Sequence, residues 1–254
     1  RTMAAAVVQQ SSDEHIQLKR RFADFLERDY PTNEEPTWNY TRALQDLYTA
    51  TEEDGKAFKL VSKRLLVAEH HLREFDESLL QRLLDSPALC LPALEEALRD
   101  LLKNGRDPTL TKLLTTDDTE LRVGLKGDFG RNEVSPRELN SSRLNKLVCV
   151  FGIITKCSLV RPKVVRSAHY CEKTKAFSTM EFRDVTALSG LPTSAIYPTK
   201  DAEGNLLTTE YGLCKFKDNQ SITIQELPET APPGQLPHSV DIVLEDDLVD
   251  NVKP

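Results

Sequence analysis

The stretch Leu147–Arg166, LVCVFGIITKCSLVRPKVVR, decides how the rest of the chain is read. It opens on Leu147-Val148-Cys149-Val150-Phe151, whose β-branched and aromatic residues predict a buried strand. Gly152 interrupts the run, as a bulge or a close backbone approach would, and Ile153-Ile154-Thr155 resumes it. Lys156, Arg161, Lys163 and Arg166 then follow around Pro162. An apolar strand running out into a basic rim is what a small barrel needs to hold a polyanion against one face.

Charge supports that reading locally and opposes it globally. The net charge is −7, which argues against a generic nucleic-acid binder. Between Arg143 and Arg183, however, stand nine Lys/Arg and two Asp/Glu, whereas Asp201 to Pro254 holds three Lys/Arg and eleven Asp/Glu. A basic patch beside an acidic one attracts a polyanion while the molecule stays soluble. No apolar run approaches the roughly 20 residues of a membrane span, and residues 1–12 lack a signal-peptide pattern. The five scattered cysteines, Cys90, Cys149, Cys157, Cys171 and Cys214, suit a reducing compartment better than a disulfide framework.

Before this stretch the pattern is helical. Residues 1–12 read as a disordered lead, with Ser12-Asp13 as a cap. Leu18, Phe22, Phe25, Leu26 and Tyr30 form a helical stripe, broken by Pro31 to Pro36. Trp38–Leu47 reads as a weaker helix, residues 51–57 as a turn, and Arg64–Val67 as a short strand. Leu79, Leu80, Leu83 and Leu84 predict a helix stopped near Pro87, and Leu94, Ala97, Leu98, Leu101 and Leu102 another ending near Asn104-Gly105. Beyond Pro108 come a strand at Leu121–Phe129, a short helix over 137–146, extended segments at Val164–Tyr170, Phe177–Val185 and Thr208–Phe216, a turn at Glu203-Gly204-Asn205, a half-buried strand through Ile222, Ile224 and Leu227, a Pro-rich loop to Pro237, and a strand at Ser239–Leu244 before an acidic exit. Short strands with Gly-marked bends and one small helix predict an OB-type Greek-key barrel carrying an excursion from about 167 to 214.

Four blocks in this order resemble the minichromosome maintenance (MCM) helicase family. They are Ser135-Pro136-Arg137-Glu138-Leu139-Asn140-Ser141-Ser142; Leu147–Lys156 with Val160-Arg161-Pro162-Lys163; Ile224-Gln225-Glu226-Leu227-Pro228-Glu229 with Pro233-Gly234-Gln235-Leu236-Pro237; and Asp246-Asp247-Leu248-Val249-Asp250. His169-Tyr170-Cys171, Ile196–Asp201, Thr209–Leu213 and Lys217–Gln220 further resemble the third of the six eukaryotic subunit types. The resemblance implies an α+β multidomain chain: a disordered lead (1–12), a helical subdomain (13–110), the first part of an OB barrel (111–166), an inserted β subdomain at a degenerate zinc-knuckle position (167–214), and the second OB part (215–254), which stops where the family continues with further barrel strands and a DNA-facing hairpin. It implies the amino-terminal, DNA-encircling and ring-assembly tier of a replicative helicase subunit acting in origin licensing and fork unwinding. The implied partners are sibling subunits of a heterohexameric ring, origin-loading and fork factors, and single- or double-stranded DNA without sequence specificity, in the nucleus with a cytoplasmic pool. No Gly-x-x-x-x-Gly-Lys-Ser/Thr loop occurs, so ATP and Mg²⁺ are expected only in a motor region beyond these residues, and this part is not expected to be an enzyme.

The candidate sites follow. For DNA they are Lys156, Arg161, Lys163 and Arg166, joined by Lys215 and Lys217, with a solvated strand end as the alternative. The loop Gln225–Pro237, with Gln225, Glu226, Pro228, Glu229 and Gly234, resembles the family loop that reaches toward the motor tier; Gln225 and Glu226 would be its polar contacts, and His238 replaces a common Arg. Zinc is not expected: Cys171 matches a first ligand, but Thr174 stands where its partner cysteine would, and His169, Cys171 and Cys214 make at most three ligands. His70-His71 and Glu245-Asp246-Asp247 read as solvated surface rather than catalytic or metal sites. The alternative reading is a protein-interaction module that docks replication factors without touching DNA.

Overall fold

Leu18, Phe22, Phe25 and Leu26 recur at helical spacing and are all buried, which fixes the first helix against its neighbours. The computed structural model describes residues 2–30, 38–46, 64–104, 121–182, 198–201 and 203–253. The features expected at Pro31–Pro36, Leu47, 51–57, Gly105, 183–185 and Ile196-Tyr197 lie outside these. The chain forms two compact units, residues 1–134 with 140–149, and residues 135–139 with 150–254.

In the first unit α1 (Thr2–Glu27) leads through β1 (Asp29–Tyr30) and β2 (Trp38–Asn39) to α2 (Tyr40–Asp46); β3 (Arg64–Ala68), α3 (Glu69–Phe75), α4 (Glu77–Asp85) and α5 (Pro87–Asn104) follow. The expected lead is helical instead. Met3 and Ala4–Ala6 are strong helix formers, and the helix runs on through Ser12 and Asp13, so neither stands at its N-terminus. The core joins these helices with Tyr30, Tyr40, Leu65, Val67, Leu121 and Val123.

The expected boundary at 110/111 also moves. β4 (Arg122–Lys126) pairs in parallel with β3, Leu65 opposite Val123, so the segment read as the first barrel strand closes the helical unit. After β5 (Glu133–Val134) the expected helix over 137–146 is two separate 3₁₀ turns, Pro136–Glu138 and Ser141–Arg143. Ser135 and Glu138 close a capping box around the first turn; Leu139 and Asn140 are then extended, and Asn140 starts the second by accepting from Ser142 N–H. With no apolar stripe to bury, nothing holds a longer helix.

The opening stretch is divided between the units. Leu147 N–H donates to Leu84 O in the helical unit, and the chain passes to the second unit within β6 (Cys149–Val150). There, β7 (Ile153–Cys157), β8 (Arg161–Cys171), β9 (Ala176–Glu181), β10 (Leu207–Thr209), β11 (Lys215–Gln225) and β12 (Ser239–Glu245) form one antiparallel sheet. β11 is central, with β7 and β8 in succession along one edge and β12 along the other. The expected excursion is not a separate sheet: β8 runs unbroken across the 166/167 boundary and pairs with β11 through Arg166, then with β9 and β10 to Cys171. The expected turn is present, with Gly204 at φ +83° and Lys200 bridged to Leu206.

The run Leu147–Phe151 is not the buried strand its composition predicts. Phe151 and Ile153 are 51% and 49% exposed, and among the described residues β7 pairs with β11 alone. Gly152 does make the close approach expected of it: a Cβ there would lie 2.4 Å from Gln225 O and 2.4 Å from Ile224 Cγ2.

Candidate nucleic-acid interface and loop

Alternation fixes which side chains share a face. On β12, Asp241, Val243 and Glu245 are exposed, whereas Ile242 and Leu244 turn inward. Register carries that outward face across the sheet, since directly opposed residues point the same way. Thr223 is opposite Asp241 on one side and Lys156 on the other. Asn219 is likewise opposite Glu245 on one side and Arg161 on the other. Lys217 then faces Lys163. Four of the six expected DNA-binding residues, Lys156, Arg161, Lys163 and Lys217, therefore form a basic rail along one side of β11.

Lys163 and Lys217 are like charges directly opposed across the ladder, with the Glu245 carboxylate 3.7 Å from the Lys163 ammonium. The other two residues, Arg166 and Lys215, are opposite one another beyond an irregularity at Lys215/Phe216, and Glu181 flanks Arg166 from β9.

The rail has an acidic counterpart, Glu245, which the sequence suggests is solvated surface, and Asp241, which it suggests only as part of a strand. Glu245 Oε1 lies 3.7 Å from Lys163 Nζ, and Asp241 Oδ1 accepts from Thr223 Oγ1 at 2.6 Å. Their signal was present in the alternation of 239–245; what it lacked was the register.

Beyond β11 the chain enters the loop. Gln225 ends the strand, opposite both Ile153 and Ser239. Pro228, Glu229 and Gly234 are exposed, with Gly234 at φ +82° permitting the reversal. Glu226 is not an outward contact: it is 1% exposed. Arg137 Nε donates to both its carboxylate oxygens at 3.2 Å, and His238 N–H donates to Oε2 at 3.2 Å. The Arg137 hydrogen bonds first, and the His238 N–H after them, hold the Glu226 carboxyl below the usual carboxylate range. Arg137 also donates from Nη1 to Gln235 Oε1 (2.5 Å) and from Nη2 to Leu236 O (3.1 Å). One guanidinium thus ties the base of the loop to its far limb. Arg137 entered the sequence reading only as part of a motif; its partners are 89 to 99 positions away.

The residues at the zinc-knuckle position are satisfied by one another. His169 is 1% exposed, with Nε2 2.7 Å from Ser167 Oγ and Nδ1 3.4 Å from Thr209 Oγ1. Cys214 Sγ donates to Glu210 O and accepts from Ala168 N–H. Hydrogen bonds from the Thr174 hydroxyl and N–H hold the Cys171 thiol low. Both imidazole nitrogens are engaged, and among the described residues no fourth ligand stands by these three, so they do not fit a closed tetrahedral zinc site. Among the described residues no group of three or more His, Cys, Asp or Glu could hold a metal ion.

Comparison with known proteins extends the geometry. Residues 19–127 match the model of the MCM N-terminal domain and residues 134–254 that of the MCM OB domain. The break between the matches falls at the observed end of the helical unit, not at 110. The chain is 42% identical over 236 residues to the DNA replication licensing factor MCM3 of Oryza sativa subsp. indica, covering 93% of this chain and 28% of that protein. It is 44% identical over 253 residues to the zygotic DNA replication licensing factor mcm3 of Xenopus tropicalis, covering 99% of this chain and 29% of that protein. To the DNA replication licensing factor MCM3 of Gallus gallus it is 49% identical over 203 residues, 79% of this chain and 24% of that protein. The chain therefore spans less than a third of the length of these relatives.

Proposed function

The chain belongs to the MCM family, and we propose that it acts as the amino-terminal, DNA-encircling and ring-assembly region of a replicative helicase subunit. The observation that carries this is the basic rail of Lys156, Arg161, Lys163 and Lys217 on one outward face of the sheet. Such a row neutralises phosphates without reading bases, so binding is weak per subunit, salt-dependent and sequence-tolerant, and a ring multiplies it. The partners in this reading are other MCM subunits in a heterohexamer, origin-loading and fork factors, and DNA, in the nucleus with a cytoplasmic pool; the relatives' names support the replication-licensing context.

In this region the work is binding and positioning. ATP and Mg²⁺ belong to a motor region outside it, and the loop from Gln225 to Pro237 is the coupling element toward that motor. Its exposed part, with Pro228, Glu229 and Gly234, makes the contact, and Glu226 anchors it from within. We read the insertion around His169 as metal-free; elemental analysis finding one zinc per chain would overturn that.

The test is fluorescence anisotropy with a labelled oligo-dT across a salt series, for this chain and for Lys156→Glu with Arg161→Glu. The expected result is binding that falls steeply with salt and is lost in the variant. Absence of binding at low salt hands this region to the protein-interaction reading.

A further inference from the structure

We infer that Asp241 and Glu245 form a negative rail that confines a bound nucleic acid to the β7–β8 side of the sheet and selects a single strand over a duplex. This rests on the DNA-binding reading of the basic rail. Two rows cross the sheet in the same order, base, neutral polar, acid: Lys156, Thr223, Asp241 and Arg161, Asn219, Glu245. The acids stand two strand spacings from the bases, about 9.5 Å. That is slightly more than the Debye length of about 8 Å at physiological salt and within the roughly 10 Å at 0.1 M, so the carboxylates act on whatever sits on the basic rail most strongly at low salt.

The carboxylates are held in place. Thr223 Oγ1 donates to Asp241 Oδ1 at 2.6 Å, and Glu245 reaches the Lys163 ammonium at 3.7 Å. A single strand presents one row of phosphates and can lie along the bases alone. A duplex laid on the same face brings a second row across a groove about 6 or about 12 Å wide. That row falls over Asp241 and Glu245, where repulsion cancels what the first row gains. Glu245 also competes with phosphate for Lys163, keeping the single-strand complex loose enough to slide.

The test compares the chain with Asp241→Asn/Glu245→Gln, which keeps shape and the Thr223 hydrogen bond, and with Glu172→Gln/Glu203→Gln, which makes the same charge change at two exposed turn residues on the same unit. Anisotropy is read with oligo-dT and with a blunt hairpin duplex. The expected result is that removing the rail acids tightens duplex binding about tenfold and single-strand binding about threefold or less, while the turn variant moves both equally and little. An unchanged duplex-to-single-strand ratio in the rail variant overturns the inference, as does the same ratio change in the turn variant. Loss of oligo-dT binding in Lys156→Glu/Arg161→Glu alongside an unchanged ratio leaves the DNA reading standing and this inference fallen. No binding by either the chain or its rail variant at low salt removes both.

Discussion

Arg137 and Glu226 are joined by a two-point hydrogen bond across 89 positions of sequence, and that bond closes the loop that leaves the central strand. Glu226 N–H donates to His238 O at 2.8 Å and the His238 N–H returns a bond to the Glu226 carboxylate, so the base of the loop is zipped. The Gln235 and Leu236 contacts of the same guanidinium then fold the far limb back. A loop expected to offer two polar residues outward instead spends one of them on its own rigidity.

Arg137→Ala leaves a buried carboxylate without its cation, and Arg137→Lys does not rescue it, because a point ammonium cannot span Glu226, Gln235 and Leu236 together. Hydrogen exchange of the amides of Thr230, Ala231 and Gln235 should accelerate roughly tenfold or more in both variants. Because the Glu226 carboxyl is held below its ordinary 4.5, its contribution is present above that pH and lost as pH falls through its folded value. Protection of the loop amides relative to their intrinsic exchange should therefore fall as pH drops below 4.5. Equal exchange rates in the three proteins would show that the loop holds itself.

A second buried polar pair sits in the helical unit. Ala68 N–H donates to Tyr40 Oη, the Tyr40 hydroxyl is hydrogen-bonded to His71 Nδ1 at 2.8 Å, and Tyr30 stacks on the same imidazole. Burial first, and His70 beside it, push the His71 pKa below 6.5, whereas burial raises Tyr40 to about 12. The unfolded chain therefore binds the His71 proton first, and stability present above pH 6.5 falls as pH drops toward the folded value. Tyr40→Phe should cost about 1–3 kcal/mol in urea unfolding at pH 7.5, since Ala68 N–H and His71 both lose a partner. A loss within error would mean that water replaces the hydroxyl.

Local chemistry was legible and register was not. Gly152 as a close approach and Gly204 as a turn were both readable from the glycines themselves. The misreadings depend on distant partners. Leu121–Phe129 reads as a strand, but only its parallel pairing with Arg64–Ala68 assigns it to the helical unit. The six basic residues read as one rim; the irregularity at Lys215/Phe216 and the Glu181 carboxylate opposite Arg166 depend on distant pairing. Phe151 and Ile153 have the composition of a core strand, and composition cannot say whether a second layer covers it.

Asp76 ends one helix and starts the next. Its N–H donates to Leu72 O at the close of α3, and its carboxylate accepts from Ser78 and Leu79 N–H at the start of α4. Asp76→Ala should cost about 0.5–2 kcal/mol in thermal or urea unfolding. Asp76→Asn keeps the cap and loses only the ion pair with the exposed Arg21, under about 1 kcal/mol. The Ser78 hydroxyl first, then Leu79 N–H and Arg21, hold the carboxyl below 3.8, so this contribution is lost only as pH falls under that value. Equal losses in the two variants would assign the effect to Arg21 instead.

Gly152 links packing to the basic rail. The atoms a Cβ would meet at 2.4 Å include the Gln225 carbonyl, and backbone in a ladder cannot swing aside as a side chain can. Just there, between Thr223 and Ile224, the pairing of β7 with β11 shifts register. Gly152→Ala should therefore cost about 1–3 kcal/mol by overpacking. It should also act on the interface, because relieving the clash by sliding β7 one residue turns Lys156 to the opposite face and removes it from the row with Thr223. The expected result is a lower Tm together with weaker oligo-dT binding at a temperature where the variant is still folded. A lower Tm with unchanged binding would place the strain in the β6–β7 connection and leave the register of Lys156 intact.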